Sequence, residues 1–181
     1  MLYMQIMPRF LFTVVIYLDK KHMKRADIML DLNNLGIYKE DNRIEAKEAM
    51  GGLPHSIWET YSAFANTAGG IILLGVAEAE DKSLYPIDLD VPEKLVTEFW
   101  DIINNPEYVS RNILTEENVQ IRRAEGKRVI VIAVPQAEQK DKPVYIGRDV
   151  LHGTYIRCGE GDYRCSAEAV KQMIEDSKKV F

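Results

Sequence analysis

The pattern of apolar and polar residues first indicates a helix that leads into a buried strand. Residues 71–74 form an apolar run without alternation, which is typical of a central strand covered on both faces of a sheet. Gly69-Gly70 precede this run and predict the left-handed end of a helix that Pro54 opens. The apolar face of that helix comprises Ile57, Tyr61, Phe64, Ala65 and Ala68.

Other segments have the patterns of strands. Residues 43–47 alternate, so that Glu45 and Lys47 point to one face of a strand and the apolar residues to the other. Residues 119–124 and 129–134 are predicted strands, and Glu125-Gly126-Lys127 between them predicts a hairpin turn. Short strands are expected around residues 144–146 and 154–157.

Two further helices follow from periodicity and capping residues. One is predicted to begin near Pro92 and to stop before Pro106, with an apolar side formed by Leu95, Phe99 and Ile102. Ser166 is expected to cap a last helix that continues to about residue 178. We therefore predict an α+β fold: a mixed β-sheet with a central buried strand, helices packed on it and at least one β-hairpin.

Residues 1–22 differ from the rest and form an apolar leader ahead of a domain over residues 23–181. The run from Phe10 to Leu18 is too short to span a bilayer, because a span needs about 20 residues. Its β-branched and aromatic content favours a buried or edge strand. The alternative is that Met23 is the natural start and the leader is poorly ordered.

The segment after the leader has helical spacing. Ile28, Leu32 and Leu35 predict a helix over residues 23–35, and Gly36 stands where its C-terminal cap belongs.

Composition and charge restrict the function. Hydrophobic residues make up 46% of the 181 and charged residues 28%, which excludes a disordered chain. The net charge of −5 excludes a polycation that coats nucleic acid, so a nucleic-acid site must be a local patch. Residues 120–165 hold nine basic and six acidic residues, a local excess of +3. The two cysteines are too few for a disulfide framework and favour a cytoplasmic location.

One string of residues is distinctive enough to indicate a family. Glu40 is followed by Glu45-Ala46-Lys47, then by Ser62-Ala63-Phe64-Ala65-Asn66-Thr67-Ala68-Gly69-Gly70, and then by Leu74-Gly75-Val76. The order and content of these pieces resemble the AlbA-like domain of the Schlafen family, over about residues 24–178. Bacterial members are classed as DNA-binding domains of transcriptional regulators.

The resemblance implies a set of acidic site residues. In Schlafen-type ribonucleases, two acids of the first motif and one after the central strand form a metal-dependent active site. The matching residues are Glu40, Glu45 and Glu78, which would hold Mg²⁺ or Mn²⁺ if the protein is a nuclease. Glu40 must lie in the loop before the strand or past a bulge, because an odd spacing would otherwise place it opposite Glu45. The alternative is a set of solvated acids near a loop, or acids paired with Lys47.

Basic residues supply the expected contacts to phosphates. Arg157 is the preferred member, because it matches an arginine expected in a family strand. The predicted nucleic-acid-binding residues are Lys47, Arg122, Arg123, Lys140, Lys142, Arg148, Arg157 and Arg164. On charge counts alone, an ordinary solvated surface remains the alternative.

The sequence thus predicts a nucleic-acid-binding domain, as a DNA-binding module of a bacterial transcriptional regulator. A metal-dependent endoribonuclease and a protein-interaction domain without nucleic-acid activity are the two alternatives. The partners expected are DNA or RNA and a second copy of the chain, with no membrane. A homodimer is expected because Schlafen cores resemble two AlbA-like lobes around a groove, and this chain has one lobe.

Overall fold

A computed structural model describes residues 13–15 and 29–180 of the chain and confirms the α+β class. The strands are β1 Thr13–Val15, β2 Met29–Asp31, β3 Ile44–Lys47, β4 Gly70–Leu74, β5 Val76–Glu78, β6 Leu84–Pro86, β7 Val119–Ala124, β8 Lys127–Val134, β9 Tyr155–Cys158 and β10 Gly161–Arg164. The α-helices are α1 Ile57–Asn66, α2 Pro92–Ile103, α3 Val150–Gly153 and α4 Ala167–Lys178, with 3₁₀ turns at Leu35–Ile37, Glu116–Asn118 and Gln139–Asp141.

The main sheet has four strands in the order β3-β4-β8-β7. Strand β4 pairs in parallel with β3 and antiparallel with β8, so it is central, and all five of its residues are buried. Strands β7 and β8 form the predicted hairpin. Glu125 and Gly126 both have positive φ there, 50° and 83°, which matches the type I′ turn that suits a two-residue hairpin loop.

Both faces of the sheet are covered, which explains the apolar runs without alternation. On one face, Ile72, Leu74 and Ile132 pack in a core cluster with residues of α1 and α2. On the other face, Ile71 and Leu73 belong to a second cluster with apolar residues from 30–35.

The helix predicted over residues 23–35 is wrong for the part that the structure describes. Met29–Asp31 form β2, which pairs with β1, and Leu35–Ile37 form a 3₁₀ turn that includes the expected cap, Gly36. Leu30 and Leu32 are both buried, at 0% and 2% exposure. Residues two apart lie on the same side of an extended chain, so Leu30 and Leu32 both pack into the second cluster. The three-residue spacing of Leu32 and Leu35 is therefore not evidence of a helix here.

The predictions for the N-terminal leader concern residues that lie mainly outside the described ranges. Of the apolar leader, 1–22, only Thr13–Val15 is described, as strand β1. No helix within the described ranges combines the length and the apolar character that crossing a membrane demands.

The remaining segments follow the sequence patterns closely. Helix α2 begins at Pro92, and the Ser166 side chain accepts a hydrogen bond from the Ala169 N–H at the start of α4. The strand expected at residues 144–146 is reduced to two isolated bridges, Tyr145 to Thr154 and Ile146 to Val109. These bridges nevertheless hold the loop before α3 against its neighbours.

We expect the Gly69→Ala substitution to lower the free energy of unfolding by about 1–3 kcal/mol. Gly69 has φ +73°, and an added Cβ would meet the Val134 carbonyl oxygen at 2.6 Å. Chemical denaturation measures the effect. Gly36→Ala is the matched control, because open space surrounds that position, and it should leave the midpoint nearly unchanged. Equal midpoints for the two variants would contradict the assignment of Gly69 as a strained helix end.

Candidate functional site

Polar residues on helix α1 fasten the segment that leads into β9. The Asn66 amide donates to the carbonyls of Val144 and Tyr155 at 2.7 and 3.0 Å and accepts from the Val144 N–H at 2.9 Å. Ser62 Oγ donates to the Val144 carbonyl and accepts from the Tyr155 N–H, at 2.8 and 3.0 Å. Thr67 Oγ1 accepts from the Arg157 N–H at 3.0 Å. The distinctive Ser-x-x-x-Asn-Thr string therefore holds β9 beside α1.

This attachment places the Arg157 side chain next to the edge strand β3. Its guanidinium lies 2.7 Å from Glu45 Oε2 and 2.9 Å from Asp162 Oδ1. It also donates to the Asp41 carbonyl at 2.7 Å and lies 5.1 Å from the centre of the Phe64 ring. Burial alone would lower the pKa of Arg157, but the hydrogen bond with Asp162 and the charge of Glu45 raise it above its ordinary value.

The placement of Arg157 corrects its expected role. A phosphate-binding arginine must reach solvent, whereas the Arg157 side chain is 1% exposed and its donors are engaged within the fold. Arg157 is therefore a structural residue that joins β9 to β3, and we leave it out of the proposed binding surface.

The expected acidic residues surround the same edge strand. Glu40 lies in the loop before β3, and its Oε1 accepts a hydrogen bond from the Ala46 N–H at 2.9 Å. Glu45 Oε1 lies 2.8 Å from Lys47 Nζ, and its other oxygen faces Arg157. The Glu45 and Lys47 side chains are each only 12% exposed. Glu45 and Lys47 thus neutralise each other in the fold.

A cluster of three glutamates combines two predicted residues with one that the sequence did not suggest. Glu40, Glu78 and Glu160 each offer an oxygen, and these atoms lie within 4.8 Å of one another. Glu78 ends β5, and Glu160 lies in the turn between β9 and β10. Glu160 stands far from the other two in sequence, so no spacing signal indicated it; only the attachment of β9 to α1 brings it near.

The electrostatics of this acidic cluster favour a cation. Burial raises the pKa of Glu40, and the charges of Glu45 and Glu78 raise it further. Because ionised Glu40 is disfavoured in the fold, it costs stability as the pH rises through that raised pKa. The Lys82 ammonium lies 2.8 Å from Glu78 Oε1, and its pKa is raised by Glu78 first and also by Glu160 and Glu40. Glu78 Oε2 is buried without a hydrogen-bond partner among the described residues.

The donor set fits a hard divalent ion. Mg²⁺ and Mn²⁺ prefer carboxylate oxygens, and the unsatisfied Glu78 oxygen would gain a ligand. Glu40, Glu78 and Glu160 would hold the ion, which would supply Lewis acidity and an activated water. Glu45 lies beside this cluster with its own ion-pair partners.

The other predicted basic residues divide into partly buried and exposed sets. Lys142 Nζ donates to the Asn66 carbonyl at 2.7 Å and so supports the end of α1. Lys140 is exposed and lies 2.7 Å from Glu138. Arg122 and Arg123 are exposed on β7, at the end of the sheet order opposite β3. Arg148 and Arg164 are also exposed, and both line one surface pocket.

Comparison with known proteins now identifies the family. The family model described as Schlafen, AlbA_2 matches residues 40–166 of the chain. The chain belongs to this family. No curated protein matches the AlbA_2 chain.

Two solved structures are similar to this chain to different degrees. The N-terminal domain of a RecG-related protein from Nitrosomonas europaea is 31% identical, with a TM-score of 0.54, over 74% of this chain and 90% of that one. That protein is named as related to the ATP-dependent DNA helicase RecG. The DIP2311 protein from Corynebacterium diphtheriae is 19% identical, with a TM-score of 0.46, over 68% of this chain and 22% of that one.

We expect Arg157→Met to destabilise the AlbA_2 domain by about 3–5 kcal/mol, because it leaves the Glu45 and Asp162 carboxylates without their buried counter-ion. Arg148→Met is the matched control: its pair with Glu107 is 77% and 64% exposed, so the expected change is within about 0.5 kcal/mol. Urea denaturation of both variants gives the comparison. Similar midpoints would refute the structural role of Arg157.

Proposed function

We propose that this AlbA_2 domain binds nucleic acid as the DNA-binding module of a bacterial transcriptional regulator. The observation that supports this most directly is that three exposed arginines contact neutral groups. Arg122 donates to the Gln120 side chain, and Arg123 donates to the Gly126 carbonyl at 2.8 Å. Arg164 contacts the Tyr155 hydroxyl at 3.4 Å. Because these partners are neutral, the positive charge of each arginine stays available to a phosphate.

The charge distribution determines what kind of binding to expect. Several other cations are paired with carboxylates, as Lys140 is with Glu138 and, in an exposed pair, Arg148 is with Glu107. A chain of net charge −5 therefore offers phosphates only local positive sites. Contacts of this kind supply affinity and little sequence information. The 31% identical domain of a RecG-related protein is consistent with this function.

We expect affinity for DNA to fall steeply with salt, and the paired change Arg122→Gln with Arg123→Gln to weaken binding to all sequences alike. Each lost phosphate contact should reduce the slope of log affinity against log salt by about 1. Fluorescence anisotropy with duplex DNA, single-stranded DNA and RNA measures this. The control, Lys94→Gln with Lys171→Gln, removes two exposed charges from helices α2 and α4.

Two outcomes would count against the proposal. Absence of binding to all three nucleic acids at low salt would favour the protein-interaction domain. An equal loss of affinity in the control pair would show that only net charge matters.

Sedimentation of the same samples at micromolar concentration tests the predicted homodimer. The two free cysteines, Cys158 and Cys165, agree with the proposed cytoplasmic location.

The acidic cluster favours a second candidate, a metal-dependent endoribonuclease. Its support is the approach of Glu40, Glu78 and Glu160 to within 4.8 Å, together with the raised pKa of Glu40. Crowded carboxylates of this kind lower stability unless a cation relieves them, which is typical of a functional site. Lys82 provides part of that relief in the structure described here.

If the cluster holds a divalent ion, Glu78→Gln should abolish Mn²⁺- or Mg²⁺-dependent cleavage of structured RNA, as should a chelator. Thermal unfolding with and without Mn²⁺ gives an independent measurement, because a ligand of the folded state raises the midpoint. Glu80→Gln is the control, since Glu80 is exposed and lies outside the cluster. Intact RNA and an unmoved midpoint with either metal would eliminate the nuclease.

A further inference from the structure

A second site, separate from the acidic cluster, is a surface pocket of about 430 Å³. Residues at the beginning of α1, in the loop around Gly147 and at the end of β10 line it. Its lining contains three aromatic residues and two arginines: Trp58, Tyr108, Tyr155, Arg148 and Arg164. None of the three clustered glutamates lines it. Its size lies within the range of small-molecule sites.

The floor of the pocket is a chain of polar contacts that ends in a cation. The Tyr155 hydroxyl donates to Glu59 Oε1 at 3.1 Å, and Arg164 donates to the same hydroxyl at 3.4 Å. The Arg164 guanidinium also lies 5.8 Å from the centre of the Tyr155 ring. Tyr155 is itself 7% exposed, so it provides a fixed support beneath Arg164. The floor thus presents a carboxylate acceptor beside an arginine.

The rim holds an exposed aromatic ring on an ordered backbone. Tyr108 is 59% exposed, although its N–H donates to the Asn105 carbonyl and its carbonyl accepts from the Gly147 N–H, at 2.9 and 2.8 Å. Trp58, in contrast, is only 7% exposed and belongs to the core, where it stacks on Phe99 with ring centres 5.2 Å apart. A ring that is exposed but held by its backbone can stack on a planar ligand at small entropic cost.

The two arginines at the pocket are available to an anion. Arg148 lies 2.7 Å from Glu107, but both side chains are mostly exposed, so this pair is weak and exchangeable. Arg164 contacts Tyr155 and has no ion pair among the residues described. Guanidinium groups match phosphate oxygens in geometry and charge. The carboxylates of Glu59 and Asp149 in the same lining would repel a polyphosphate.

We propose that this pocket binds a single nucleotide, with the base against Tyr108 and one phosphate at Arg148 and Arg164. The Glu59 carboxylate is placed to accept a hydrogen bond from an amino group of the base. The ligand is either a free nucleoside monophosphate or one unit of a single strand. The inference goes beyond the proposed function, because a free nucleotide would satisfy the same contacts.

The test is isothermal titration calorimetry with AMP, CMP, GMP, UMP, inorganic phosphate and an oligonucleotide of about ten residues. Wild-type protein should bind at least one nucleotide more tightly than phosphate. Tyr108→Ala and Arg164→Gln should each weaken that binding about tenfold. Tyr108→Phe should restore it, because stacking needs the ring and not the hydroxyl. Tyr85→Ala and Lys94→Gln are the controls, since Tyr85 is 46% exposed and Lys94 is exposed, and neither lines the pocket.

The outcomes separate the pocket from the proposed function. If both the nucleotides and the oligonucleotide bind, and Tyr108→Ala weakens both, the pocket is part of a site for single-stranded nucleic acid. Binding of nucleotides without the oligonucleotide supports a free nucleotide ligand. Oligonucleotide binding that neither variant changes would overturn the pocket and leave the nucleic-acid function standing. Phosphate binding as strong as nucleotide binding would also overturn it, because no base would then be recognised.

Discussion

The structure depends on one buried cation. Arg157 on β9 joins the edge strand β3, through Glu45 and the Asp41 carbonyl, to the β9–β10 hairpin, through Asp162. Removing a guanidinium from water is costly, and only a full set of partners offsets that cost. Five contacts of the guanidinium with carboxylates and backbone carbonyls provide that set of partners. The carboxylates around β3 are therefore partly an outcome of folding, because Glu45 is needed to hold Arg157.

The acidic cluster results from the same arrangement of β9 against α1. Holding β9 beside α1 brings the turn with Glu160 to Glu40 and Glu78. Burial already disfavours the ionised form of Glu40, and two like charges nearby increase the cost. Lys82 offsets part of it from an exposed position where it can move away. These crowded charges cost stability in the folded state, and the divalent ion proposed above would relieve that cost.

How much the sequence could predict depended on how local each signal was. The turn at Gly69, the hairpin at Gly126 and the helix after Pro92 depend on a few neighbouring residues, and the structure has all three. Leu30 and Leu32 were assigned to a helix because their partners on the sheet lie outside their own segment. Arg157 looked like a surface residue because its partners, Glu45 and Asp162, come from separate elements. Glu160 was missed for the same reason, since only tertiary packing brings it to Glu40.

The same distinction between local and distant partners decides which cations can act on a ligand. Several of the described basic side chains pair with a carboxylate within the fold, and each such pair largely cancels its own positive charge. Arg122, Arg123 and Arg164 are exposed arginines whose side-chain hydrogen bonds go to neutral groups, although the chain is rich in acidic residues. An arginine whose direct contact is a neutral group keeps its positive charge available to a ligand. If the domain binds nucleic acid as proposed, these three residues are therefore candidates for its phosphate contacts.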